Sequence, residues 1–284
     1  MRNESLINQN GYLHKANQLY AAVCNDVQKI SRQSQLLNKN LLKDQKDTEG
    51  KNLTKSTLLA NVVHDICTPV NAIKGFADLL LTPDISEENK VKYAQIIRQS
   101  ADNLLDLVYD LLDVSKIEAG ELSIVNRPGN LKDLFNELFE LFNNPMLRQR
   151  SGQVQLKPYI ELTQGQCLID TDFIRLRQIL VNLISNALKF TEKGHVIYGC
   201  CLIDPDTLCF SVEDTGIGIA PEKLGLIFDQ FYQLNDPGST NKCKGTGLGL
   251  SIVKSLVGLM DGELWVDSTK GIGSTFYFTL PFKK

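Results

Sequence analysis

The chain has 284 residues, 43% of them hydrophobic, and its 30 basic and 33 acidic side chains leave a net charge of -3. That length suggests two domains or one domain with helical appendages, with apolar content enough for a real core. The charge balance excludes nucleic acid or an anionic membrane as the main partner. Seven cysteines without a Cys-x-x-Cys pair indicate neither a disulfide framework nor a zinc site, which fits a reducing cytoplasm. No run of about 18 apolar residues and no signal-peptide core occurs, so a soluble chain or the cytoplasmic part of a membrane sensor is expected.

From Leu13, apolar residues recur at 13, 16, 20, 23, 27 and 30, then at 37 and 41. This heptad spacing predicts a coiled-coil signalling helix over residues 1–48; the alternative is a helix packed on its own protein. A charged joint, Lys43 to Asn52, separates it from a second helical seam at Leu59, Val63, Ile66, Val70, Ile73, Ala77 and Leu80. Thr82-Pro83-Asp84 marks a turn, and Ser86 is a good N-cap ahead of Glu87 and Glu88. A third seam follows at Ala94, Ile97, Ala101, Leu104, Val108 and Leu111. Two helices and a short turn make an antiparallel hairpin over 54–118. Its apolar stripes are richer than one hairpin can hide, which predicts dimerisation into a four-helix bundle.

His64 stands on the first helix of this hairpin, with a carboxylate at Asp65 and a hydroxyl one turn on at Thr68. An imidazole, an adjacent acid and a hydroxyl on one helix suit a nucleophile, its base and a water-positioner. Pro69 lacks an N–H, so it should disturb the helix bond back to Asp65 and loosen the backbone beside the histidine.

After Glu118-Ala119-Gly120 the periodicity changes to mixed α and β, a block over 121–284 of the size of one α/β domain. Strands are expected near Glu121–Val125, Gln153–Ile160, His195–Ile203, Leu208–Asp214, Glu263–Asp267 and Ser274–Leu280. Helices are expected with Leu131, Leu134, Phe135, Leu138 and Leu141 on one face, and from Asp172 to Phe190 with the stripe Leu176, Leu180, Leu183 and Ala187.

On that second helix Asn182, Asn186 and Lys189 are spaced by four and three and share a stripe beside apolar residues. Partly buried amides and an ammonium need partners, and magnesium with nucleotide phosphates would satisfy all three; a polar helix edge is the alternative. Asp214 has the core-facing parity of Leu208, Phe210 and Val212. An inward carboxylate needs good donors, such as an adenine amino group, and Gly216 and Gly218 would let a base approach closely. Gly245-Thr246-Gly247-Leu248-Gly249 opens a helical run, an arrangement suited to phosphates, but it is neither a Walker A loop nor a dinucleotide fingerprint. Between these lies a polar loop, Asn235 to Lys244, that reads as a lid or an ordinary surface loop, with Phe228 and Phe231 as anchors before it.

In this order the motifs resemble those of the sensor histidine kinases of two-component signalling, over about residues 54–284. Val-His64-Asp-Ile-Cys-Thr68-Pro is similar to the phosphoacceptor box and Asn182-Leu-Ile-Ser-Asn186-Ala-Leu-Lys189-Phe to the asparagine box. Asp214-Thr-Gly-Ile-Gly resembles the first glycine box and Phe228-Asp-Gln-Phe231 the phenylalanine box. Gly245-Thr-Gly-Leu-Gly-Leu resembles the second glycine box, and Lys270-Gly-Ile-Gly-Ser-Thr the last glycine turn. The resemblance implies a dimeric helical hairpin followed by a Bergerat-type α/β sandwich that binds ATP and Mg²⁺. It implies Asn186 as metal ligand, Asn182 and Lys189 on the phosphates, and Asp214 on adenine. His64 would be the phosphoacceptor, Asp65 its base and Thr68 the water-positioner of a reverse phosphatase reaction. The expected partners are a second copy of the chain and the receiver domain of a separate response regulator, since no receiver-like segment occurs within these residues.

The chain departs from the family where Asp65-Ile66-Cys67 stands for the usual Glu-Leu-Arg. Aspartate still reaches the neighbouring imidazole, whereas Cys67 removes whatever contact the arginine makes with the nucleotide domain or the partner. Two rival readings are a phosphatase-dominant or scaffold member, and a different ATPase of the same fold. The latter carries a water-activating glutamate where this chain has Asn182.

Overall fold

A computed structural model describes residues 52–82, 85–143, 154–233 and 246–282, excepting the side chains of 52–61 and of His64. The expected coiled coil over 1–48, the loop 235–244 and Gly245 lie outside the described residues. The chain divides into two compact units, residues 1–101 and 102–284.

In the first unit the segment from Val63 to Pro69 lies on α1 (Asn52–Leu80), which continues through Pro69. The next helix, α2 (Glu87–Glu118), starts where Ser86 Oγ accepts the Asn89 N–H at 3.3 Å, the expected N-cap, with Glu87 and Glu88 in the first turn. Phe76 and Tyr93 meet across the two helices with ring centroids 5.3 Å apart. The seam expected on α2 is shifted toward one edge. Leu107 is buried, whereas Ala94 and Val108 are exposed and so leave the inward line. Leu105, Tyr109 and Leu112 are also exposed, so α2 carries a second apolar stripe that the described residues do not cover. No described helix is long and apolar enough to cross a membrane.

The division between the units falls inside α2, because the last turns of that helix pack within the second unit. Asp113 on α2 accepts from Arg175 Nη1 at 3.1 Å and from Gln178 Nε2 at 2.6 Å. Helix α2 ends before Gly120, whose φ of 68° closes the turn.

The second unit contains a five-stranded sheet under three helices. Its elements run β1 (Arg127–Asn130), α3 (Leu131–Asn143), β2 (Val154–Glu161), β3 (Leu168–Thr171), α4 (Phe173–Phe190), β4 (Gly194–Asp204), β5 (Thr207–Asp214), α5 (Gly249–Leu259), β6 (Leu264–Thr269) and β7 (Gly273–Pro281). The sheet order is β2-β4-β5-β7-β6, antiparallel except for the parallel pair β2–β4. The strand expected at Glu121–Val125 is extended chain with no ladder partner. The ladder begins at Arg127, where β1 pairs with the four-residue β3, too short to leave a periodic signal.

The helices cover one sheet face. Tyr198, Cys200, Phe210, Val212 and Phe278 point into the interior, where Phe210 and Phe278 stack at 4.7 Å. Helix α4 is buried on more than its expected stripe, for Ile179 and Ile184 are as inaccessible as Leu176 and Leu180. It touches the sheet on one side and α3 and α5 on others, so one stripe is not enough. The buried Tyr198 hydroxyl donates to the Phe135 carbonyl at 3.1 Å, which satisfies its polar end.

Asp172 begins α4. One carboxylate oxygen accepts the N–H groups of Ile174 and Arg175, and the other accepts that of Val125, 47 residues earlier. Asp172→Ala should cost about 2 kcal/mol, as an N-cap is lost together with a backbone partner, and Asp172→Asn less. Urea unfolding of the two variants against the parent checks this.

Candidate functional site

The site residues gather around the C-terminal half of α4. Asn182 and Asn186 are half-buried on it, one turn apart, and Lys189 Nζ lies 4.9 Å from the Phe190 ring centre. The next two segments are fastened to the end of this helix. Ile217 N donates to the Phe190 carbonyl at 3.3 Å, and a side chain at Gly216 would run into that same carbonyl. Gly216 is therefore required by close approach.

Asp214, at the end of β5, is 7% exposed and keeps the inward parity expected of it. Burial pushes its carboxyl up from the ordinary range, and hydrogen bonds from Gly216 and from the backbone and hydroxyl of Ser274 hold it down. The Gly216 N–H stands 2.8 Å from Oδ1. A carboxylate has about four lone-pair sites. The three donors leave one acceptor direction, which suits an exocyclic amino group. Ser274 was not expected as a site residue. It belongs to the last glycine turn, and only the β5–β7 register, which pairs Asp214 with Ser274, brings it to the carboxylate.

The glycine-rich segments also lock onto one another. Gly218 has φ 61°, and a Cβ there would strike the Thr269 carbonyl. Gly271 N donates to the Ile217 carbonyl at 2.7 Å, so the first glycine box and the last glycine turn are laced together. Gly247, at φ 71°, presses on the Phe231 backbone, and Phe231 N donates to the Gly247 carbonyl at 2.8 Å. Phe231 is itself at φ 63°, an uncommon conformation for an aromatic residue, which this bond helps hold. Phe228 meets Phe276 edge-on at 6.4 Å.

The phosphate-type loop closes the circuit. A Cβ on Gly249 would stand 3.5 Å from Asn182 Oδ1, so the second glycine box abuts the asparagine stripe. Leu248 was expected to contact a ligand, but its side chain is fully buried at the start of α5; what it offers is backbone. Its N–H donates to Thr246 Oγ1 at 3.2 Å. Thus the first glycine box is held at the Phe190 end of α4 and Gly249 of the second abuts Asn182, with Asp214 bonded to Gly216 and Phe231 bonded to Gly247.

The described residues fit a hydrated Mg²⁺ carried on phosphates. They include no group of three or more His, Cys, Asp and Glu side chains able to hold a metal, and α4 offers neutral amide oxygens. Mg²⁺ keeps several waters and takes few protein ligands, so one amide oxygen and phosphate oxygens are a suitable set.

Residues 54–120 match the His Kinase A (phospho-acceptor) domain family, and residues 171–284 match the family of histidine kinase-, DNA gyrase B- and HSP90-like ATPases. The chain belongs to the sensor histidine kinases. It is 38% identical over 244 residues to the autoinducer 2 sensor kinase/phosphatase LuxQ of Vibrio vulnificus, covering 84% of this chain and 28% of that protein. It is 39% identical over 234 residues to the sensor protein GacS of Pseudomonas syringae, covering 81% and 25%. The chain thus spans about a quarter of the length of these curated relatives. Full-length ShkA, solved in complex with AMPPNP, superposes with a TM-score of 0.58 at 31% identity, over 80% of this chain and 46% of that one.

Helix α1 lies within the stretch that matches the phospho-acceptor domain family, with Asp65 half-buried and Thr68 exposed. Two contacts between α2 and the nucleotide-binding elements were not legible in the motifs. One is the Asp113–Arg175–Gln178 cluster. The other is the approach of Thr246 Oγ1 to Asp110 Oδ2 at 3.5 Å. Burial, together with the charges of Asp106 and Asp113, pushes Asp110 up to about 6 from 3.8. The folded chain holds this proton more tightly than the unfolded chain. The stability it supplies is therefore complete below pH 3.8 and lost as the pH rises through about 6. Asp110→Asn should raise Tm at pH 7.5 and change it little at pH 4, as read by thermal unfolding at the two pH values.

Proposed function

We propose that this chain is an ATP-dependent protein-histidine kinase that phosphorylates its own His64 and passes the phosphoryl group to an aspartate of a separate response regulator. The observation that carries the reading is the circuit that joins both glycine boxes, and through Gly247 the phenylalanine box, to the helix α4 that bears Asn182 and Asn186. Attached to it is a helical hairpin bearing one histidine in the phosphoacceptor position.

Asp214 accepts the adenine amino group through its remaining acceptor direction, and Gly216 and Gly218 admit the base to the backbone. Asn182, Lys189 and the backbone N–H groups of Thr246, Gly247 and Gly249 bind the phosphates, the Leu248 N–H being taken by Thr246 Oγ1. The start of α5 adds the partial positive charge of a helix N-terminus. Asn186 holds Mg²⁺, which when bound neutralises phosphate charge.

At the reacting end the imidazole of His64 attacks the γ-phosphorus. An N–P bond forms as the bond to the ADP oxygen breaks, and Asp65 receives the imidazole proton. Aspartate is shorter than the family's glutamate but adjacent to the histidine, so the base role is kept.

The same helix supports the reverse reaction. Thr68 is exposed one turn after His64, where its hydroxyl directs water at a phosphorylated regulator. LuxQ, a relative in this region, is described as a sensor kinase/phosphatase.

The domain plan that goes with this reading is a signalling helix over 1–48, a dimerisation and phosphotransfer hairpin over 54–118 and a catalytic domain over 121–284. The uncovered stripe Leu105, Val108, Tyr109 and Leu112 on α2 supports a homodimer, since a second hairpin would bury it. The water-activating ATPase reading is disfavoured by Asn182, an amide where that chemistry needs a carboxylate.

Incubation with γ-labelled ATP should give an acid-labile, base-stable phosphoprotein. His64→Gln should abolish the label while nucleotide binding persists. Label that survives the substitution, or rapid phosphate release with no phosphoenzyme, overturns the assignment.

A further inference from the structure

The buried carboxylate at the base-binding end is supported by a row of residues that runs across three strands. Asp214 on β5 pairs with Ser274 on β7, and Ser274 pairs with Ser268 on β6. Ser268 Oγ lies 3.0 Å from Ser274 Oγ and 2.9 Å from the Gly273 carbonyl, and it accepts the Ile219 N–H at 2.8 Å. Ile219 is the residue directly after the first glycine box, so one hydroxyl joins that loop, the last glycine turn and the carboxylate's own partner.

The direction of these bonds is set by the number of protons. A serine hydroxyl has one proton and two lone pairs. Ser274 directs its proton to Asp214, because an ionised carboxylate can only accept. Its oxygen is then an acceptor, and Ser268 is the donor in reach, its single proton shared between that oxygen and the Gly273 carbonyl. Ser268 in turn accepts from Ile219. The chain of bonds therefore runs from the Ile219 N–H to Ser268, from Ser268 to Ser274 with the Gly273 carbonyl as a second acceptor, and from Ser274 to the carboxylate. Hydrogen bonds aligned in this way polarise and strengthen one another.

We infer that Ser268 is a positioning residue for recognition of 6-aminopurine nucleotides. It touches no ligand itself. It holds the Ser274 hydroxyl in the rotamer that bonds Asp214 and so aims the remaining acceptor direction of Asp214 at the 6-amino group. The same hydroxyl pins the Ile219 end of the glycine loop that would lie against the base. This rests on the reading of Asp214 as the adenine acceptor.

The test is calorimetric titration of the whole chain with ATP and with purine riboside triphosphate, which lacks the 6-amino group. Four variants are compared with the parent: Ser268→Ala, Ser268→Thr, Ser268→Val and Asp214→Asn. Thr and Val match in shape on a β-strand and differ in the hydroxyl. The parent should prefer ATP. Ser268→Ala and Ser268→Val should weaken ATP by about tenfold, the scale of one net hydrogen bond, and leave the analogue almost unchanged. Ser268→Thr should restore the preference. If Val keeps the parent ratio of the two affinities, or weakens both nucleotides alike, Ser268 is only a packing residue and the inference falls. Asp214→Asn separates this from the underlying reading. If it leaves the ratio intact, the adenine assignment of Asp214 itself fails, whatever Ser268 does.

Discussion

A carboxylate held in the interior at the end of a central strand is the constraint around which the nucleotide-binding unit is arranged. Asp214 is 7% exposed, and a buried carboxylate is costly unless donors surround it. Here the donors come from two directions: Gly216, two residues on, and Ser274, from the neighbouring strand. Meeting that requirement brings β5, β7 and the first glycine box into one place. The arrangement leaves an acceptor direction that a purine amino group can use.

The helix α4 provides the second fixed body. It is buried along Leu176, Ile179, Leu180, Leu183, Ile184 and Ala187, so its position is set by packing against the sheet and two helices. Asn182 and Asn186 inherit that rigidity, as the backbone carbonyl of Phe190 does. The second glycine box is thereby set against an element whose position is fixed by packing. Glycines supply the close approaches at Gly216, Gly218 and Gly247, where a side chain would meet backbone.

Several features are legible in the residues alone, for stated physical reasons. The period of two places Asp214 with Leu208, Phe210 and Val212, and all four are buried. Ser86 announces the start of α2, and Asp204-Pro205-Asp206 the turn between β4 and β5. Short elements are not legible: β3 has four residues, and its partner β1 contains Pro128 and Gly129. The extended run before β1 reads as a strand because Leu122 and Ile124 alternate with polar residues, a pattern that does not reveal whether a ladder partner exists. The inward line of α2 is displaced because that helix has two apolar stripes, and spacing alone does not say which one its own chain covers.

The sequence by itself determined the class of chemistry. Hydroxyl, imidazole, amide, carboxylate and glycine recur at spacings that local geometry converts into faces of a helix or turns at its start. The tertiary structure alone decided which distant groups complete each local motif. Ser274 lies 60 positions after Asp214 and Ser268 lies 54 after it, and only strand register brings them to the carboxylate. Asp113 and Arg175 are 62 residues apart and meet because α2 and α4 pack together. Spacing along the chain controls neighbours within a turn or two. Contacts across strands and between helices depend on which buried faces find each other, and that is settled by packing over the whole fold.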